Sequence, residues 1–141
     1  IGLADGARAL IHKDVGCHNM VALDDKAAAL LDWETAAIGN PAQDLGYAYP
    51  TVVQMCDWPE FIAAYAEAGG KPPAQAQIDY YMVWGFTWLT VMLMQARAAF
   101  TSGRVNDVRL GYVGAYLLGR LQARLAEKLD ALAGTGSGCD D

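Results

Sequence analysis

Apolar residues fall into blocks along the chain, and these blocks change character near residue 40. Before that point they are short, covering Ala9 to Ile11, Met20 to Leu23 and Ala27 to Leu31. Short apolar runs between polar breaks are typical of β-strands. Only a polar turn separates the second run from the third, which predicts a β-hairpin whose two open ends lie side by side.

Beyond residue 40 the apolar residues recur at the three- and four-residue steps of helices. Asn40 is suited to cap a helix in which Pro41 takes the first position. Further helices are predicted from Trp58 to Ala68, from about Ala74 to Phe100 and from about Asn106 to Leu132. The pattern therefore predicts a mainly α fold, with a short β-hairpin followed by a bundle of helices.

The composition narrows the class of protein. The chain has 141 residues, of which 54% are hydrophobic and 18% are charged, so it is long and apolar enough to bury a core. Its formal charge of −6 and its lack of a basic cluster argue against a nucleic-acid partner. Three widely spaced cysteines predict no disulfide framework, which favours a reducing compartment and a cytoplasmic location.

The most apolar long stretch runs from Tyr80 to Ala96. It contains Gln95 and is flanked by amphipathic segments, so a buried helix is favoured over a membrane span, and no membrane partner is expected. Trp84, Trp88 and Met92 recur there at helical spacing, which predicts packing into a core. Lining of a substrate pocket is the alternative for this stripe.

Polar groups concentrate in the segment LIHKDVGCHNMVALDDKAAALLDWE, Leu10 to Glu34. Its first part has the form His-x-Asp-x-x-x-x-Asn, with Asp14 and Asn19, and Asp32 follows the second arm of the predicted hairpin. Because the open ends of a hairpin are neighbours, Asn19 and Asp32 are expected to converge. The same loop occurs in kinases, where a carboxylate holds the attacking hydroxyl and oxygen ligands hold Mg²⁺.

Other interpretations of these residues need weighing. His12, Cys17 and His18 suggest a zinc cluster, but their spacing matches no standard site and a fourth ligand is missing. Cys17 is expected to be an incidental thiol rather than a nucleophile. Asp44 is either a charge favoured by the start of a helix or a brace for the loop.

The segment resembles the catalytic segment of the aminoglycoside phosphotransferase family, a branch of the protein-kinase-like fold. The continuation LLDWETAAIGNPAQDLGY carries the Asp-Trp-Glu of that family and then its Gly-x-Pro-x-x-Asp-Leu element, at Gly39, Pro41, Asp44 and Leu45. Within the family, the chain looks most similar to the subgroup found beside acyl-CoA dehydrogenases. The matching motifs end at Tyr47.

This resemblance implies a role for each matching residue. Asp14 would be the catalytic carboxylate that faces the substrate hydroxyl, and Asn19 and Asp32 would ligate Mg²⁺. His12 would orient the loop through hydrogen bonds, and Asp44 would brace it by accepting backbone N–H groups. Four more residues are expected to flank the site: Lys13, His18, Trp33 and Glu34.

The resemblance also implies an overall function. Residues 1–134 would be the C-terminal lobe of a kinase that transfers the γ-phosphoryl group of ATP (or GTP) to a small alcohol, and residues 135–141 a flexible tail. No Gly-rich loop and no strand Lys with a helical Glu partner precede the motif. We therefore expect the nucleotide-binding N-terminal lobe of a longer parent chain as a partner, and little activity from the 141 residues alone.

Two other functions remain in competition. The chain could be a regulatory or interaction module that keeps a vestigial kinase site, or a metal-dependent phosphohydrolase that uses the same carboxylates. The first would bind partners without turnover, whereas the second would release phosphate without phosphorylating an alcohol.

Overall fold

The structure, a computed structural model, describes residues 6–24 and 26–136. Four strands and four helices follow one another in it, and the described part is mainly helical, which confirms the predicted class. The strands are β1 (Ala9–Ile11), β2 (Met20–Leu23), β3 (Lys26–Leu30) and β4 (Ala37–Gly39). The helices are α1 (Ala42–Val52), α2 (Trp58–Glu67), α3 (Gln75–Thr101) and α4 (Val108–Gly136).

The predicted hairpin is confirmed by the antiparallel pairing of β2 with β3. Met20 lies opposite Leu30 at the open end, and Leu23 lies opposite Lys26 beside the turn. Asp24, with a φ of 50°, enters that turn in the left-handed conformation that Asp tolerates better than most residues. The hairpin therefore brings the residues just before β2 and just after β3 together.

The strand β4 was not predicted from the sequence. It pairs antiparallel with β1, and Leu10 lies opposite Ile38 at the centre of the pair. A strand of three residues is too short to show a period in its side chains, so its partner decides its structure. Because β1 ends at Ile11, this pair fixes the point at which the polar loop begins.

The helix α1 starts one residue later than predicted, but the predicted cap is present. The side-chain Oδ1 of Asn40 accepts the N–H of Ala42 at 2.9 Å, and its backbone oxygen accepts the N–H of Gln43 at 3.0 Å. Two of the N–H groups left free by the start of the helix are thereby satisfied.

Contacts divide the chain into two compact units, residues 1–82 and residues 83–141. In the first unit α1 packs closely on the start of α3. A Cβ at Gly46 would lie 2.8 Å from the backbone nitrogen of Met82 and 3.0 Å from the carbonyl oxygen of Ile78, so only glycine fits there. The buried hydrophobic residues of this unit are Ile11, Ala42, Leu45, Ala48, Ile78 and Met82.

The second unit consists of the rest of α3 together with α4. A Cβ at Gly114 of α4 would lie 2.7 Å from Cβ of Arg97 on α3, so the two helices approach closely there. Phe86 and Leu118 are its buried large hydrophobic residues in the described part of the chain. The helix α4 extends to Gly136, beyond the predicted end at Leu132, and residues 137–141 of the predicted tail lie outside the described residues.

The stripe on α3 does not form a core, which corrects the prediction. Trp84, Trp88 and Met92 keep 40%, 43% and 45% of their surface exposed. Apolar residues lie on most sides of this helix, and several of them are exposed. The indole rings of Trp84 and Trp88 stack instead on each other, with centroids 6.3 Å apart. Among the described residues, none of the helices has the length and apolar character needed to cross a membrane.

Candidate active site

The polar loop begins at His12 and is fastened to α1 by Asp44. One carboxylate oxygen of Asp44 accepts the backbone N–H of His12 at 2.7 Å, and the other accepts that of Lys13 at 2.8 Å. Asp44 lies in the first turn of α1, where the helix dipole favours a negative charge. Hydrogen bonds to an ionised acceptor are stronger than neutral ones, so this carboxylate sets the path of the loop.

The buried imidazole of His12 stabilises the loop through two hydrogen bonds. The residue is only 2% exposed, and its Nδ1 accepts the N–H of Asp14 at 3.2 Å. The proton of the neutral ring is therefore assigned to Nε2, which donates to the carbonyl oxygen of Leu31 at 2.7 Å. His12 thus ties Asp14 to the residue that precedes Asp32, and the ring of Trp33 lies edge-on to it at 4.8 Å.

Asn19 joins Asp14 to the end of the hairpin. Its side-chain Nδ2 donates to the backbone oxygen of Asp14 at 2.9 Å and to Asp14 Oδ2 at 3.1 Å. Both partners accept only, so the amide nitrogen must face them and Oδ1 must point elsewhere. The backbone oxygen of Asn19 accepts the N–H of Leu31 at 2.7 Å, which brings the two ends of the hairpin together.

Tyr47 contacts Asp14, a contact that the sequence analysis missed. Its hydroxyl donates to Asp14 Oδ1 at 2.5 Å, and the ring nitrogen Nε2 of His18 lies 3.3 Å from the same oxygen. Tyr47 follows Asp44 by three residues on α1, so the two side chains share a helix face. That spacing was the available signal, since the face that braces the loop also reaches its carboxylate.

Burial and hydrogen bonding act in opposite directions on Asp14. Partial burial raises the pKa of this carboxyl group, but the hydrogen bonds from Tyr47, His18 and Asn19 outweigh it, and the pKa lies below its ordinary value. The phenol of Tyr47 shifts the other way. Burial and the neighbouring Asp14 carboxylate raise its pKa, so Tyr47 stays protonated and remains a hydrogen-bond donor.

Two residues that the sequence assigned to the site adopt the left-handed backbone conformation. Lys13 has a φ of 72° and Asp32 a φ of 63°. Such values are uncommon outside glycine and are often found at functional sites.

Trp33 and Glu34, which were also expected at the site, lie in the segment after β3. Trp33 donates its indole N–H to the carbonyl oxygen of Leu30 at 2.7 Å, and Glu34 is exposed in the same short 3-10 turn. Thr35, which the sequence analysis did not single out, donates its hydroxyl to the backbone oxygen of His12 at 2.9 Å. This turn is therefore hydrogen-bonded to the start of the loop.

The donor atoms available at the hairpin end suit a hard cation. Oδ1 of Asn19 and the carboxylate of Asp32 accept no hydrogen bond from the described residues, and both are the oxygen ligands that Mg²⁺ prefers. By contrast, both ring nitrogens of His12 are hydrogen-bonded, which leaves none for zinc. Among the described residues, no three His, Cys, Asp or Glu side chains are grouped to hold a metal ion.

A family model described as the phosphotransferase enzyme family, APH, matches residues 2–81. This match covers more than half of the 141-residue chain and contains the whole of the loop, the hairpin and α1. The chain therefore belongs to the phosphotransferase enzyme family. The searches of curated proteins and of solved structures found no match.

Proposed function

We propose that this chain is the catalytic C-terminal lobe of a kinase-like small-molecule phosphotransferase. It transfers the γ-phosphoryl group of ATP or GTP to the hydroxyl group of a small alcohol. Family membership supports phosphoryl transfer in general. The observation that carries the narrower proposal is the environment of Asp14, an ionised carboxylate held by Tyr47, His18 and Asn19 in a braced loop.

In the proposed reaction Asp14 accepts a hydrogen bond from the acceptor hydroxyl and so aims its oxygen at the γ-phosphorus. The new O–P bond forms while the bond from that phosphorus to the β–γ bridging oxygen breaks, and the nucleoside diphosphate leaves. The hydroxyl proton passes to Asp14 and then to solvent. A carboxylate with a lowered pKa is a weak base, which suits a loose transition state in which the proton is lost late.

The residues around Asp14 have supporting parts in this proposal. Asn19 and Asp32 would hold Mg²⁺, which would neutralise the charge on the phosphates when bound. His12 and Asp44 would keep the loop in one conformation. This matters for the rate, since positioning of the reacting groups supplies much of the rate in this reaction. The nucleotide base would be bound by an N-terminal lobe of the parent chain.

The test is an assay of the full-length protein with Mg²⁺, ATP labelled in the γ-phosphate and a panel of small alcohols. Asp14→Asn should lower the acceptor-dependent transfer by about 10²–10⁴-fold, the usual contribution of a positioned acid–base group. The matched control is Asp130→Asn, the same change at an exposed position of α4, which should leave the transfer unchanged.

Other outcomes would support the competing functions. Phosphate released at the same rate with and without an alcohol would indicate a phosphohydrolase. Nucleotide binding without any turnover would indicate a regulatory module. Asp32→Asn separates this last case further, because a working site should lose Mg²⁺ affinity by at least about 10-fold, whereas a vestigial one should not change.

A further inference from the structure

An apolar cavity opens beside the loop in the first unit. It has a volume of about 220 Å³ and is lined by residues of the loop, of the start of β2, of α1 and α2, and of the segment between these two helices. Those that decide its character are Val15, Gly16, Ala48, Val52, Met55 and Phe61. Met55 is largely exposed at its edge, so the cavity is accessible from solvent.

Several lining residues directly follow Asp14, the candidate catalytic carboxylate, or Tyr47, which donates a hydrogen bond to it. Val15 and Gly16 come next in the chain after Asp14, and Ala48 comes next after Tyr47. The hydrogen bond from Tyr47 to Asp14 joins these two parts of the lining. A molecule in the cavity therefore lies next to the residues that would meet its hydroxyl group.

The chemistry of the lining selects an apolar ligand. Among the described residues, no Asp, Glu, Lys or Arg lines the cavity, and four of the lining residues carry sulfur: Cys17, Met20, Met55 and Cys56. Thioether and thiol groups are polarisable and adapt to ligands of different shape. Apart from Asp14 beside the cavity, a polycationic acceptor would find no carboxylate in the described lining to replace its lost hydration, which makes its entry costly.

The size of the cavity selects a segment rather than a whole molecule. A cavity of about 150 Å³ lined by apolar side chains holds a benzene ring, and pockets for entire drug-sized ligands begin near about 300 Å³. Scaling from benzene, 220 Å³ accommodates about eight or nine carbon atoms.

We propose that this cavity is the acceptor subsite and that it binds an alkyl or aryl segment of the alcohol to be phosphorylated. This inference rests on the proposed function, because the cavity is assigned to the acceptor of that reaction. It names the acceptor class as alcohols with an apolar carbon skeleton, in contrast to polycationic amino sugars.

The first test measures transfer by the full-length protein to a series of straight-chain primary alcohols. Each methylene group buried in the cavity should raise kcat/KM about fourfold, until the chain exceeds about eight or nine carbons. An amino sugar and a polyamine alcohol of similar size serve as polar comparators and should be poorer acceptors. A flat profile with a preference for the cationic comparators would overturn the inference while leaving the phosphotransferase itself intact.

Substitutions in the lining should move the preferred length in opposite directions. Val52→Phe fills part of the cavity and should shorten the best acceptor, whereas Met55→Ala enlarges it and should lengthen the best acceptor. Gln54→Phe is the matched control, since it adds the same ring at an exposed position outside the lining. If Val52→Phe and Met55→Ala both keep the wild-type profile, the acceptor does not use this cavity.

A second measurement does not depend on turnover. Cys17 and Cys56 are free thiols in the lining, so their alkylation by a maleimide reports occupancy of the cavity. In a Cys139→Ser background, 1-octanol should slow alkylation of both thiols severalfold more than the polyamine alcohol does. If transfer fails with every alcohol but octanol still protects, the proposed function is wrong and the apolar site stands. Equal alkylation rates with and without octanol would overturn the site.

Discussion

The polar contacts within the loop region of the first unit differ in kind from those within the helices of the second unit. Around the loop, local hydrogen bonds are joined by others that span long stretches of sequence: His12 and Asp44 are 32 residues apart, and Asp14 and Tyr47 are 33 apart. In the second unit, Thr87 donates to Val83 and Arg120 to Tyr116, each four residues away on the same helix.

The two regions also differ in the residues that they bury. At the loop the polar residues His12 and Asn19 are only 2% and 7% exposed, whereas in the second unit the aromatic residues Trp84, Trp88 and Tyr116 remain exposed. Contacts that span the fold fix side chains in one arrangement, and those within a helical turn add little to it. We therefore expect the loop to respond to single substitutions far more strongly than the second unit does.

The largest effect should come from Asp44→Ala, which leaves the backbone N–H groups of His12 and Lys13 without their acceptor. We expect a loss of about 2–4 kcal/mol in the free energy of unfolding and a fall of at least about 10²-fold in transfer. Urea unfolding of the full-length protein and the labelled-ATP assay measure the two quantities.

The control for Asp44→Ala is Thr87→Ala, which removes a hydrogen bond within a single helical turn. It should change the free energy of unfolding by no more than about 0.5 kcal/mol. If Thr87→Ala cost as much as Asp44→Ala, the contrast between long-range and local contacts would not describe how this protein is stabilised.

A glycine in each region extends the comparison to packing. Gly46→Ala places a methyl group against the backbone of Met82 and should destabilise the fold by about 1–3 kcal/mol. Gly119→Ala on α4 meets nothing within 4 Å and should stabilise the helix by about 0.5–1 kcal/mol. Thermal unfolding of the two variants gives shifts of opposite sign; shifts of the same sign would contradict the close packing of α1 on α3.

The smallest effect is expected from Tyr47→Phe, which removes one hydrogen bond to Asp14. The pKa of Asp14, lowered in part by this bond, should rise towards its ordinary value. Since the proposed reaction requires an ionised carboxylate, the acidic limb of kcat/KM should move to higher pH, and kcat/KM at neutral pH should fall by about 3–10-fold. The pH profile measures both changes.

Tyr47→Phe should also change how the free energy of unfolding depends on pH. A carboxyl group whose pKa is lower in the folded protein stabilises the fold above its ordinary pKa and loses that contribution as the pH falls through the folded value. Tyr47→Phe should therefore show a smaller loss of stability between pH 7 and pH 3 than the wild type. An unchanged loss would mean that Tyr47 does not act on Asp14.

Much of the candidate site could be predicted from the sequence. The spacing of Asp14, Asn19 and Asp32 around two short apolar runs indicated a loop followed by a hairpin, and the hairpin is confirmed. The roles of these residues in catalysis and metal binding stay predictions. Tyr47 was missed because a tyrosine after an apolar helix position carries no sign of its partner, and only the face it shares with Asp44 points to the loop.

The sequence alone determined the mainly α class, the hairpin, the cap at Asn40 and the positions of the long helices, because periodicity and capping act over a few neighbouring residues. The tertiary structure alone decided that β4 pairs with β1, that Tyr47 reaches Asp14, and that Trp84 and Trp88 stay exposed. Each of these depends on which surfaces meet across tens of residues. Such contacts follow from the packing of whole elements, which a local pattern does not encode.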